Sequence, residues 1–183
     1  MTGVQTCALP ILIRHFTHDG VYLQQHTGQL KLSVINTISA DNGNDGFDIS
    51  PGGTGQIVGV IDHSEATTNV GNGVVAWGLN TQQSPAAVLV TVSNSNLSNN
   101  NNAGVYIKGK GGLDAVADVV DDVSNYDQYG FYADVGSAIE LYDSDALLDF
   151  NSGLVVSSSS TGYSYGENRL RDISGTLVPM ATN

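Results

Sequence analysis

A four-residue cassette recurs seven times along the chain: a glycine followed by three residues, of which the first and third are mostly apolar. The copies begin at Gly20, Gly46, Gly73, Gly104, Gly130, Gly153 and Gly175. Their spacing of 22 to 31 residues is typical of solenoids, in which each repeat forms one coil of a stack. The repeat therefore limits the chain to a small group of architectures.

A second alternating stretch precedes each cassette, for example at residues 57–61 and 88–92, and the two are separated by turns rich in Asn, Asp and Ser. Strands this short cannot bury a core alone, so the coils must stack in parallel with alternate side chains pointing inward. The inward cassette positions then form two apolar ladders. These are Phe47, Val74, Val105, Phe131 and Leu154, and Ile49, Ala76, Ile107, Ala133 and Val156. The sequence predicts an all-β parallel β-helix of about six to seven coils.

Polar residues also recur two positions before the cassette glycine: His18, Asn44, Asn102, Gln128 and Asn151, with Gly71 between them. Asparagine tolerates left-handed backbone geometry, and stacked asparagines can hydrogen-bond between strands. We expect the asparagine ladder of the solenoid at this position.

The composition excludes several classes of partner. Eighteen acidic residues against six basic ones give a net charge of −12, which leaves no basic footprint for nucleic acid. The sequence also lacks an apolar run of about 18 residues, so no membrane span is expected. Cations, neutral glycans and protein surfaces remain as partners.

The cassettes resemble the right-handed parallel β-helix repeat of pectin-lyase-like proteins. The segment from Tyr163 to Asp172, followed by residues 175–179, is similar to the closing coil of bacterial members of this group. The resemblance covers about residues 16 to 180. It implies a right-handed helix, but no single activity, because this fold hosts lyases, hydrolases, epimerases, spikes and adhesins.

Residues 1–11 resemble the translation of a common short-read sequencing adapter and are set apart from the single β-helix domain expected over residues 12–183. This interpretation implies that the chain is truncated at its N-terminus. Upstream coils or a cap, and any signal peptide, would then be missing. The expected location is extracytoplasmic, either secreted or at the cell surface.

Acidic residues are concentrated between Asp114 and Asp149. With the coils in register, Asp121 and Asp122 would approach Asp143 and Asp145 on the next coil. Paired carboxylates can cleave glycosidic bonds, and three or more can bind Ca²⁺. These four residues are the candidate site for two alternatives, a polysaccharide lyase or hydrolase and a calcium-dependent adhesive repeat. The basic residues nearby form no recognisable catalytic arrangement, and no catalytic residue or resident metal is assigned.

Aromatic residues occupy the outward position of several cassettes. Tyr106 and Tyr132 share this position, and Trp77 lies just beyond its own cassette. Exposed aromatic rings can pack against the apolar faces of sugars. The preferred interpretation is a non-catalytic structural or binding scaffold that contacts glycan or protein, with these three residues as the glycan-contact candidates.

Overall fold

The structure, a computed structural model, describes residues 10–78, 87–110 and 114–179. Within these ranges the chain forms nineteen short strands and no helix. The strands are β1 (Ile11–Arg14), β2 (Val21–Leu23), β3 (Gln29–Ile35), β4 (Thr37–Ala40), β5 (Phe47–Ile49), β6 (Gln56–Asp62), β7 (Glu65–Thr67), β8 (Val74–Trp77), β9 (Val88–Ser93), β10 (Ala103–Lys108), β11 (Ala115–Val120), β12 (Tyr129–Ala133), β13 (Ser137–Tyr142), β14 (Asp145–Ala146), β15 (Ser152–Val156), β16 (Thr161–Tyr165), β17 (Arg169–Leu170), β18 (Ile173–Ser174) and β19 (Leu177–Pro179).

The strands stack into three parallel faces, which we name A, B and C. Face B has the order β2-β5-β8-β10-β12-β15-β18, and face C has the order β3-β6-β9-β11-β13-β16-β19. Face A consists of two groups of strands, β1-β4-β7 and β14-β17. Single β-bridges at Asn96 and Val123 connect the two groups. The described strand pairs are all parallel, and the chain makes about six turns. The predicted all-β parallel solenoid is confirmed.

The core consists of the predicted apolar ladders. Val105 pairs in register with Val74 on one side and with Phe131 on the other. The members of both ladders are buried, and inward residues of face C complete the packing. Successive side chains of a strand point to opposite sides of the sheet. The alternating cassettes therefore send one row of side chains into the core and the other row to the outer surface of the sheet.

Two features of the coils differ from the sequence prediction. Face A was not predicted, because its strands have only two to four residues or a single bridge and so carry no alternating pattern. The seventh cassette also differs from the other six, because its strand does not lie on face B. In the last coil the partner of Leu154 is Ile173, and the strand after Gly175 belongs to face C, where Leu177 pairs with Gly162.

Two ladders of buried polar side chains run along the inside of the corners that flank face A. The asparagine ladder consists of Asn42, Asn69, Asn100, Asp127 and Asp149. The serine ladder consists of Thr37, Ser64, Ser95, Asp122 and Ser144. At each step the backbone N–H of one member donates to a side-chain oxygen of the next. The buried asparagine ladder therefore lies three or four residues before the cassette glycine, rather than two as predicted.

The cassette glycines are required by the distance between coils. A Cβ atom on Gly46 would lie 2.6 Å from the carbonyl oxygen of Gly73, and one on Gly73 would lie 2.6 Å from that of Gly104. Real Cβ atoms do not approach oxygen so closely, so only glycine fits this position. The recurrent glycine thus marks the close contact of equivalent corners.

Residues 1–9 lie outside the described residues, and the adapter interpretation of the N-terminal segment stays a prediction. Ile11, at the end of that segment, begins β1 and pairs with Thr37. Within the described ranges, the structure has no helix with the length and apolar character needed to cross a membrane.

Candidate functional site

Four aromatic residues lie on the outer surface of face B, and we call them the aromatic patch: Trp77, Tyr106, Tyr129 and Tyr132. The rings of Tyr106 and Tyr132 meet edge to face, with centroids 5.3 Å apart. Tyr129 contacts Tyr132 at 5.2 Å. Trp77 is 41 % exposed, whereas the three tyrosines are half-buried. The patch therefore combines one open indole ring with a cluster of packed phenol rings.

An ion pair lies against the aromatic patch. Lys108 is the register partner of Trp77, and its Nζ atom lies 5.6 Å from the centre of the indole ring. The same Nζ atom lies 3.3 Å from Asp134 Oδ2, to which the Tyr106 hydroxyl donates a hydrogen bond over 2.7 Å. Lys108 and Asp134 thus connect Trp77 to the tyrosine cluster.

The ionisation of the pair follows from these contacts. Burial acts to raise the pKa of Asp134, but the Tyr106 hydroxyl, the Val135 N–H and Lys108 together hold it below its ordinary value. Burial, reinforced by the bond to Asp134, raises the pKa of Tyr106. Near neutral pH the aspartate is therefore charged and Tyr106 keeps its proton, so a carboxylate lies beside the aromatic patch and accepts hydrogen bonds there.

The three glycan-contact candidates identified from the sequence are brought together here. Alternation placed Trp77, Tyr106 and Tyr132 on the outer surface of adjacent coils, where the structure has them. The contribution of Lys108 and Asp134 was not predicted. Each lies two residues after a patch tyrosine, so the same alternation could have placed it on the outer surface.

The four acidic candidates are not gathered at one place. Asp121 and Asp143 occupy equivalent exposed corner positions with left-handed backbone, φ 53° and 48°. Asp122 instead belongs to the serine ladder, is 1 % exposed, and accepts a hydrogen bond from Ser95 N–H at 2.6 Å. Its carboxylate lies inside the solenoid and does not join an external cluster with Asp121, Asp143 and Asp145.

Asp143 and Asp145 do share a shallow groove at the corner between faces C and A, together with Glu167 and Arg169. The Arg169 guanidinium binds both carboxylate oxygens of Asp145. Asp143 accepts a hydrogen bond from the backbone N–H of Glu167 at 2.7 Å. Both carboxylates therefore already hold neighbouring groups of the next coil.

A further group of acids that was not predicted lies near the other end of the solenoid. Carboxylate oxygens of Asp19, Asp45 and Asp48 lie within 4.8 Å of one another. Asp45 is buried and accepts hydrogen bonds from Asn72 N and Nδ2 at 2.6 and 2.8 Å and from Asn44 Nδ2 at 3.1 Å. Burial, as the largest cause, raises the pKa of Asp48 to about 6. Hydrogen-bond donors of the protein therefore already occupy both carboxylate oxygens of Asp45 in this group.

Comparison with known proteins gives no relative from which a function can be transferred. A scan against protein-family models found no match, and searches of curated proteins and of solved structures likewise found none.

Proposed function

We propose that this chain is a non-catalytic β-helix scaffold, secreted or at the cell surface, whose aromatic patch binds a neutral glycan. The observation that carries the proposal is the contact of the patch with an ion pair on one outer face. Aromatic rings supply apolar surface for a sugar ring, and the polar groups beside them supply hydrogen bonds to its hydroxyls. The resemblance to pectin-lyase-like repeats is consistent with a role on polysaccharide.

A neutral glycan is favoured over an acidic one by the charges at the patch. Lys108, the basic residue beside the aromatic patch, is paired with Asp134. The chain as a whole carries a charge of −12, which repels an anionic polymer. The distribution of the acidic candidates supports a scaffold over an enzyme, because Asp122 faces the core and Asp145 is bound by Arg169.

The test is affinity electrophoresis in gels that contain neutral polysaccharides, followed by calorimetry with any polymer that retards the protein. We expect Trp77→Ala to bind about tenfold more weakly, the equivalent of about 1.4 kcal/mol of ring packing. Tyr22→Ala is the matched control. Tyr22 occupies the same outward column as Tyr106 and is exposed, but it lies three coils from Tyr106, outside the patch.

Equal binding by wild type and Trp77→Ala would contradict the proposal. The same polysaccharides are assayed for new reducing ends and for unsaturated products. Products formed by the wild type and lost in Asp145→Asn would favour the alternative, a lyase or hydrolase of the pectin-lyase-like fold.

A further inference from the structure

The two inner ladders change their chemistry along the solenoid. The asparagine ladder has amides at Asn42, Asn69 and Asn100, but carboxyl groups at Asp127 and Asp149. The serine ladder has a carboxyl group at Asp122, between Ser95 and Ser144. These three aspartates are at most 5 % exposed. Amides and hydroxyls are neutral, so a carboxylate in their place brings a charge into the interior.

We propose that Asp122, Asp127 and Asp149 enter the fold as neutral carboxylic acids, so that the later coils of the solenoid lose stability when a rise in pH removes these protons.

The hydrogen bonds around Asp127 repeat those around an asparagine. In the second coil, Asn42 Nδ2 lies 3.1 Å from Ser39 Oγ and donates to it, and that hydroxyl donates to the carbonyl of Gly46 at 2.7 Å. In the fifth coil, Asp127 Oδ2 lies 2.7 Å from Ser124 Oγ, and this hydroxyl lies 3.1 Å from the carbonyl of Gly130.

A protonated Asp127 reproduces this circuit, because its O–H donates to Ser124 and leaves the serine hydroxyl free to donate to Gly130. An ionised Asp127 has no proton to donate. It must instead accept a hydrogen bond from the Ser124 hydroxyl, and the carbonyl of Gly130 then loses this donor. The geometry therefore fits the neutral acid in the place of the amide.

The other two aspartates each carry an oxygen without a donor. Asp149 Oδ1 accepts from Asp127 N–H at 3.1 Å, but Asp149 Oδ2 is buried without a partner. Asp122 Oδ1 accepts from Ser95 N–H, and Asp122 Oδ2 is likewise buried and unpartnered. A buried carboxylate needs donors on both oxygens. A proton on the unpartnered oxygen removes the charge and converts that atom into a donor.

The charges that face these groups have the same sign as the carboxylates. Asp149 acts on Asp127, and Asp121 and Asp62 act on Asp122. Burial is the largest cause in each case, and it raises the pKa of Asp122 and of Asp127 to about 8 and that of Asp149 to about 6. The charged groups that act on them are acidic and oppose ionisation. Hydrogen bonds such as those from Ser95 N–H to Asp122 and from Asn100 N–H to Asp127 favour the ionised form, but burial outweighs them.

The direction of the pH effect follows from proton binding. The pKa of each group is higher in the folded chain than the ordinary value of 3.8, so the folded state binds more protons between about pH 4 and the raised value. Stability is greatest below this window and falls as the pH rises through it. Within the window, each carboxyl raises the unfolding equilibrium constant by up to about tenfold per pH unit.

The test is urea denaturation of the whole chain at about pH 5 and about pH 8.5, followed by circular dichroism. We expect a lower midpoint at the higher pH for the wild type. In the variant Asp127→Asn/Asp149→Asn, the midpoint at the higher pH should rise and the difference should shrink, and addition of Asp122→Ser should shrink it further. The control Glu167→Gln removes an exposed acid of the later coils that is not among the groups acting on these three aspartates, and it should keep the full difference.

Equal wild-type midpoints at the two pH values would overturn the proposal, as would a double variant that keeps the full difference. Should the double variant fail to fold, Asn100→Asp supplies an independent measurement. It adds a carboxyl group to the same ladder and should steepen the loss of stability with pH. An unchanged pH dependence in Asn100→Asp would equally contradict the proposal.

Discussion

Asn69 donates two hydrogen bonds to the same oxygen of Asn100, one from its backbone N–H at 3.2 Å and one from its side-chain Nδ2 at 3.0 Å. Asn42 makes the same pair of bonds to Asn69. Each ladder amide therefore acts as acceptor for one coil and donor to the next. The coils are joined at this corner by side chains as well as by their strands.

Removal of one ladder amide should be costly. In Asn69→Ala, two donors of Asn42 lose their acceptor, and the carbonyl of Ser39 loses a donor. We expect a loss of about 3 kcal/mol of unfolding free energy, because a buried polar group left unpaired costs about 1–3 kcal/mol. Urea denaturation measures the change. Asn101→Ala, at the exposed position next to Asn100 in the same turn, is the control and should change stability little.

The cassette glycines yield a second prediction. Gly73→Ala places a Cβ atom 2.6 Å from the carbonyl of Gly104 and 3.1 Å from Asn100 Nδ2, so adjacent coils must separate. We expect about 1–3 kcal/mol of destabilisation from this overpacking. Gly59→Ala is the matched control, since the nearest atoms to its Cβ are side-chain carbons at 3.6 and 3.7 Å. A loss of stability at Gly59 as large as at Gly73 would refute the explanation.

The sequence predicted those parts of the fold in which alternation is uninterrupted. Faces B and C have strands of three to seven residues in most coils, so their inward residues and the outward Tyr106 and Tyr132 follow from a period of two. Face A has no such period. The asparagine ladder was misplaced because asparagines also recur two residues later, as Asn44 and Asn102 do, and only burial distinguishes the two rows.

The candidate acids show why the site was harder to predict than the fold. Asp121 has a left-handed backbone, φ 53°, and this corner interrupts the alternation of face C. Asp122 then points into the serine ladder and Asp121 toward solvent. A register argument places both acids on the same coil, but it does not give the side on which each carboxylate lies. The pairing of Lys108 with Asp134 likewise depends on side-chain conformation across two strands.

Two phenylalanines on neighbouring coils provide a test of the core. Phe131 is fully buried in the inward ladder, whereas Phe150 is 77 % exposed. Phe131→Ala should cost about 3–5 kcal/mol, because it leaves a cavity between Val105 and Leu154 that the stacked strands cannot close. Phe150→Ala should change stability by less than about 0.5 kcal/mol. Thermal or urea denaturation of both variants measures the contrast, and similar losses would mean that the ladder is not the core.

The calcium-dependent adhesive alternative was assigned to Asp121, Asp122, Asp143 and Asp145, but the one group of three carboxylates that the described residues bring within 4.8 Å is Asp19, Asp45 and Asp48. Addition of calcium therefore tests this group as well. Asn72 and Asn44 already donate to both oxygens of Asp45, so a cation must displace internal hydrogen bonds in order to bind there. We expect millimolar Ca²⁺ to leave the melting temperature equal to that measured in EDTA.

Asp48→Asn serves as the control, since it removes one carboxylate from the group while Asp45 keeps its amide partners. A rise in melting temperature with Ca²⁺ that disappears in Asp48→Asn would establish a cation site here. A rise that persists in Asp48→Asn but is lost in Asp143→Asn would instead place the ion at the groove formed by Asp143 and Asp145.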